Sequence, residues 1–232
     1  MNQYAQQLSV SQSEPSERAA FIRRTYAHLA GALLLFAGLL AYLIPSPFGE
    51  QFTGWVLGSK FGWLGVLGGF TVLGWLARGL ATSPASQSMQ YLGLTLYAIM
   101  EAVIFVPIMY IAAYYSDPSV IPTAGVITLA LFGGLTAVVF TTRKDFSFLR
   151  GALMVGGFAA LGLIIAGTLF GFSMGIWFSA GMIGLAGAAI LYDTSKIMLH
   201  YRTDQHVGAA LELFASVAML FYYVLRLLMD RR

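Results

Sequence analysis

Residues Gly181–Leu199 read GMIGLAGAAILYDTSKIML, an apolar run that spans about one hydrocarbon thickness when coiled into a helix. Asp193 lies inside it. The next apolar run, Val207–Met229, carries Glu212 within AALELFASVAML. A carboxylate at such a position costs roughly 2.5–3.5 kcal/mol to insert, so it is expected to face a partner, a cavity or an ion path.

The rest of the chain supports a membrane reading. It is 58% hydrophobic and 10% charged, with a mean hydropathy of +0.76. A soluble domain carries about 25% charged residues. The composition therefore predicts an all-α polytopic membrane protein. The chain has no cysteine, which excludes disulfides, thiolate metal sites and cysteine nucleophiles. A formal charge of +3, scattered along the chain, gives no basic patch for nucleic acid.

Seven runs of sufficient length follow one another. They are Thr25–Ile44, ended by Pro45-Ser46-Pro47, then Phe61–Ala81 and Met89–Tyr115, the last interrupted by Pro107. Val120–Thr142 follows, then the charged turn Arg143-Lys144-Asp145, then Leu149–Phe170, Gly175–Leu199 and Val207–Met229. Residues 1–20 are polar and read as a flexible cytoplasmic tail. Residues 21–232 read as a single seven-helix domain. The first apolar run follows Arg23 and Arg24 and is expected to stay in place as a signal anchor.

Loop charge orients the bundle. With the N-terminus in the cytoplasm, Arg18, Arg23, Arg24, Arg78, Arg143, Lys144, Arg150, Lys196 and Arg202 fall inside, and only Lys60 falls in an outer loop. Arg226, Arg231 and Arg232 then lie outside if all seven segments cross, the reading preferred over a seventh segment that stops short. Small residues Ala180, Gly184 and Ala188, at four-residue spacing, predict a closely packed face on the sixth segment.

Depth relates the two acids. Asp193 precedes His200 by ~10 Å of helix and Glu212 follows His206 by ~9 Å, on the same side of the membrane. Antiparallel neighbours would bring them to one level, where a shared proton or a bound cation relieves their repulsion and they titrate jointly. The structural alternative is neutralisation, by Lys196 at i, i+3 from Asp193 or by Arg78 at the end of the second segment. Glu101 is a third intramembrane acid, one and a half turns before Pro107, where a freed carbonyl favours hydration. Arg226 can snorkel. His28 and His200 read as solvated interfacial residues. No HExxH, GxSxG or Walker A sequence is present, and an aspartyl intramembrane protease would need a GxGD segment that is absent, so no enzyme is expected.

The turn TTRKDFSFL at Thr141–Leu149, the stretch ILYDTSKI at Ile190–Ile197 and the last segment AALELFASVAMLFYYVLRLL resemble the Bax inhibitor family, across nearly the whole chain after the tail. The resemblance implies six helices around a central seventh, in the inner membrane of a bacterium. It implies a pH-sensitive calcium leak governed by two aspartates on the last two helices and an arginine on the second. By position, Asp193 matches the first aspartate and Arg78 the arginine. Ser216 stands where leak members carry the second aspartate, and Glu212, one turn earlier, matches a position acidic in some relatives. Asp193, Glu212, Glu101 and Ser216 are thus the candidate ion- and proton-sensing positions, with Arg78 and Lys196 as counter-charges. Asp193 and Glu212 would form a weak calcium site, calcium being a transient visitor rather than a cofactor. The serine is closer to the bacterial branch that modulates a membrane-anchored AAA protease, in which the N-terminal tail takes part.

Overall fold

The computed structural model describes residues 9–59, 61–83 and 86–230, so the first eight residues, Lys60, Pro84, Ala85, Arg231 and Arg232 lie outside the described residues. Among the described residues eight α-helices form: α1 Pro15–Leu43, α2 Pro47–Gly58, α3 Gly62–Ala81, α4 Gln87–Tyr115, α5 Val120–Thr142, α6 Leu149–Phe170, α7 Gly175–Leu199 and α8 His206–Asp230. All but α2 are long and apolar enough to cross a membrane. Helix α2 covers ~18 Å, well short of a ~30 Å hydrocarbon core. The apolar runs assign no span to this stretch. Pro47 at its first turn fixes φ for a helix start, and it packs against α3 and α4.

Pro107 lies within α4, which runs unbroken to Tyr115. Its start is capped by Ser86, whose hydroxyl accepts the Met89 amide at 3.2 Å. Between α5 and α6 the Ser147 amide and hydroxyl both donate to Asp145. Those bonds hold the Asp145 carboxyl below its usual range, with a smaller contribution from His200 Nε2 at 3.0 Å. The expected solvated His200 is therefore tied to this turn. The turn in turn meets α7, because the Phe146 amide donates to Ser195 Oγ at 3.2 Å.

Helix α8 is the most enclosed span: 72% of its apolar stretch is buried, against 11% for α6. Helices α1, α3, α4, α5 and α7 pack on it, while α6 packs chiefly on α7. Five of the six other spans thus pack directly along α8. Aromatic edge contacts join three helices near its middle. Phe36 of α1 meets Phe105 of α4 at 5.0 Å and Phe214 of α8 at 5.8 Å, and Tyr97 of α4 meets Phe214 at 6.1 Å. Such pairs contribute about 0.5–1.5 kcal/mol each beyond area burial.

Two expectations are corrected here. The tail does not extend to residue 20. Val10 is fully buried, its amide donates to the Tyr201 carbonyl at 2.8 Å, and Ser11 Oγ donates to the Leu199 carbonyl at 2.9 Å. Arg18 reaches back to the Val10 and Ser11 carbonyls, and α1 starts ten residues before the expected Thr25. An apolar residue and satisfied carbonyls seat this polar stretch on the α7–α8 turn. The small-residue stripe on α7 also fails as a contact face: Ala180 and Gly184 are exposed, with nothing within 4 Å of a Cβ built on Gly184. Helix α7 instead buries Ser179, Met182, Ala186 and Ile190. The tightest glycine among the described residues is Gly93 of α4, where a Cβ would lie 2.4 Å from the Ala81 amide nitrogen of α3.

Candidate functional site

Helices α3 and α8 meet at Gly208, where an added Cβ would lie 3.0 Å from Thr82 Cγ2 and 3.2 Å from the Ala81 carbonyl. That approach sets their register. One turn on from Gly208, and on the same face of α8, comes Glu212; one turn back from Thr82 on α3 comes Arg78. The two side chains form an ion pair between Arg78 Nη1 and Glu212 Oε2. Arg78 also occupies the last turn of α3, where the helix dipole favours a cation, and its Nη2 donates to the Tyr97 hydroxyl at 3.3 Å.

Asp193 is buried on α7 and has a different partner. Its Oδ2 accepts a hydrogen bond from Ser216 Oγ at 2.6 Å, a length typical of a hydroxyl bonded to a carboxylate. Ser216 lies one turn beyond Glu212 on α8, so adjacent positions on one face serve the two acids separately. Lys196 does not pair with Asp193. Its Nζ lies 5.2 Å from the ring centroids of both Tyr192 and Tyr201, a cation–π seat at the end of α7.

Two cavities converge on the Arg78–Glu212 pair. One, of about 350 Å³, runs between α3, α4 and α8 and is lined by Trp63, Tyr97, Glu101 and Arg226 among others. The other, of about 700 Å³, runs between α6, α7 and α8 and includes Arg150, Tyr192 and Asp193. Arg78, Glu212 and Ser216 line both. Asp193 and Glu212 therefore share the second cavity without being each other's partner. Glu101 borders only the first, and its buried Oε2 accepts no hydrogen bond. At the far end of that cavity, Arg226 Nε lies 3.8 Å from Asp230.

His28 stacks on Tyr91 at 5.3 Å and faces His206 at 5.0 Å, an aromatic packing contact in place of the expected solvated ring. Among the described residues no three His, Asp or Glu side chains converge to hold a metal ion. The sequence reading missed Tyr97 and Gly208. The only signal for the second was its place one turn before a charged residue in an apolar helix.

The profile of the family described as "Inhibitor of apoptosis-promoting Bax1" matches residues 18–232. The chain is 31% identical to an uncharacterized protein of Pseudomonas aeruginosa over 98% of this chain and 96% of that one. It is 30% identical to Bax inhibitor 1 of Schizosaccharomyces pombe, covering 98% of this chain and 83% of the relative. It is 32% identical to the modulator of FtsH protease YccA of Escherichia coli K12, over 51% of this chain and 53% of the relative.

Proposed function

This chain belongs to the Bax inhibitor family, and from that premise we propose that it is a pH-responsive cation leak, with calcium as the ion carried. One observation supports the reading above others: two cavities, each bordered by a buried carboxylate, abut at a single ion pair, Arg78–Glu212. While Arg78 holds Glu212, the junction is closed by the pair itself. Asp193 is the acid on the larger cavity that no permanent cation neutralises within 4 Å; Ser216 supplies only a hydroxyl. Its charge therefore answers to protons or passing cations. Two carboxylates fall far short of the six to eight oxygens of a tight calcium site, so occupancy is weak and brief, as a leak requires. The N-terminus lies in the cytoplasm of a bacterial cell, and no residue is assigned a catalytic role.

The test is calcium entry into liposomes loaded with an indicator. Asp193→Asn should flatten the dependence of flux on pH between about 6 and 8, the range over which a carboxylate in oil competes for protons. Wild-type protein that passes no calcium anywhere in that range would end the leak assignment.

A second reading, modulation of a membrane-anchored AAA protease, is favoured by the similarity to the Escherichia coli modulator of FtsH protease. Residues 9–13 lie clamped on the α7–α8 turn, so the tail contact is tested on residues 2–8, outside the described residues. Deleting those residues should abolish modulation of substrate degradation by the co-reconstituted protease while calcium flux is unaltered. Undiminished modulation after the deletion counts against a tail-mediated contact.

A further inference from the structure

The smaller cavity, one side of the junction in the leak reading, has walls unlike those of the larger one. Trp63, Phe70, Tyr97, Phe105, Tyr222 and Tyr223 all line it, and Glu101 stands among them. Glu101 is 7% exposed, and its buried Oε2 has no hydrogen-bond donor. A buried acceptor left unsatisfied in a native fold calls for an explanation, and a site for a bound ion is one of them. Charge identifies the guest. Arg78 is engaged by Glu212, and Arg226 by Asp230 at 3.8 Å. That leaves Glu101 as the lining carboxylate with no ion pair, so the cavity favours a positive ligand over a negative one.

The walls narrow the choice further. Aromatic faces carry negative potential and attract organic ammonium groups, which shed water more readily than a metal ion does. At about 350 Å³ the cavity is at the small end of ligand pockets, and its lining is mostly apolar with few polar groups, the usual composition of such sites. A hydrated divalent cation would leave those rings idle. We propose that the cavity between α3, α4 and α8 is a binding site for a small hydrophobic organic cation, an amine or quaternary ammonium compound, with Glu101 as its counter-ion and the aromatic rings as its cage. This site shares a cavity with the leak reading but does not rest on it, since it requires binding and no passage.

Benzyltrimethylammonium is a suitable probe because its charge is permanent, and benzylsulfonate has similar size with the opposite sign. Equilibrium dialysis against the full chain in phosphatidylcholine nanodiscs, with empty discs subtracted, reads both. The cation should bind at least about tenfold more tightly than the sulfonate, and Glu101→Gln should remove about tenfold of that affinity. Trp63→Leu leaves every charge in place and should weaken the cation about threefold, which tests the cage even where Glu101→Gln fails to fold. Retention of neither ion above empty discs, preference for the sulfonate, or undiminished cation binding in both variants overturns the proposal. Loss of calcium flux without loss of cation binding would strike the leak alone.

Discussion

Replacing Arg78 with alanine is expected to cost about 2 kcal/mol of stability and to raise calcium flux at every pH where the wild type is closed. The variant leaves Glu212 facing two cavities and a low-dielectric bundle without its cation. Removing one partner of a fully buried pair costs about 3–5 kcal/mol. Here the side chains retain 38% and 26% exposure, which lets water screen the orphaned charge and brings the loss below that range. Arg78→Lys should recover little, because an ammonium cannot bond Glu212 and the Tyr97 hydroxyl with a planar fork. The informative variant is Arg78→Ala with Glu212→Gln. Removing the stranded charge should return about 1 kcal/mol, a coupling that unfolding in detergent can measure as a double-mutant cycle. The flux of the double variant should stay high, since the closing pair is still missing. A double variant no more stable than the single one would deny the coupling. Lost stability with unchanged flux would make the pair a strut rather than a gate.

How much of this was legible beforehand depended on which physical rule was at work. Seven apolar runs announce seven spans because hydrocarbon thickness imposes a length on each. The start of α1 was not legible, since Pro15–Arg24 is polar and helix outside the oil carries no apolar signature. Helix α2 was missed because it is too short for that length rule and contains Glu50 and Gln51. Charges in oil pointed to Asp193, Glu212 and Arg78 as residues to place, and the structure puts all three along one cavity. Their pairing was not readable, because it depends on how each helix is rotated about its axis. Sequence spacing gives depth along α7 and α8 but not the angle between them. The contact of Gly208 with Thr82 sets that angle for α3, and nothing local to Glu212 or Arg78 encodes it. The stripe at Ala180, Gly184 and Ala188 misled for the same reason. Small residues at four-residue spacing mark a face, and in lipid that face can be turned to the acyl chains at no cost.

Gly93→Ala is the variant expected to disturb the bundle most for the smallest chemical change. Two effects oppose each other. Alanine is the better helix former by about 1 kcal/mol, which favours the variant. Against this, its methyl would lie 2.4 Å from the Ala81 amide nitrogen and 2.6 Å from the Ala77 carbonyl oxygen. These are backbone atoms of α3, so no rotamer can relieve the clash and the whole helix must move. Overpacking costs about 1–3 kcal/mol when side chains can yield, and more when they cannot, so a net loss of about 2 kcal/mol or greater is expected. Gly184→Ala is the matched control: nothing lies within 4 Å of its added Cβ, and it should be neutral or stabilising by up to about 1 kcal/mol. Thermal unfolding in one detergent compares the two directly. The displaced helix carries Arg78 one residue from Ala77, so Gly93→Ala should also raise calcium flux although it touches neither acid. Equal melting temperatures for the two variants would mean that α3 slides outward freely, and Arg78 would then have no fixed seat from which to hold Glu212.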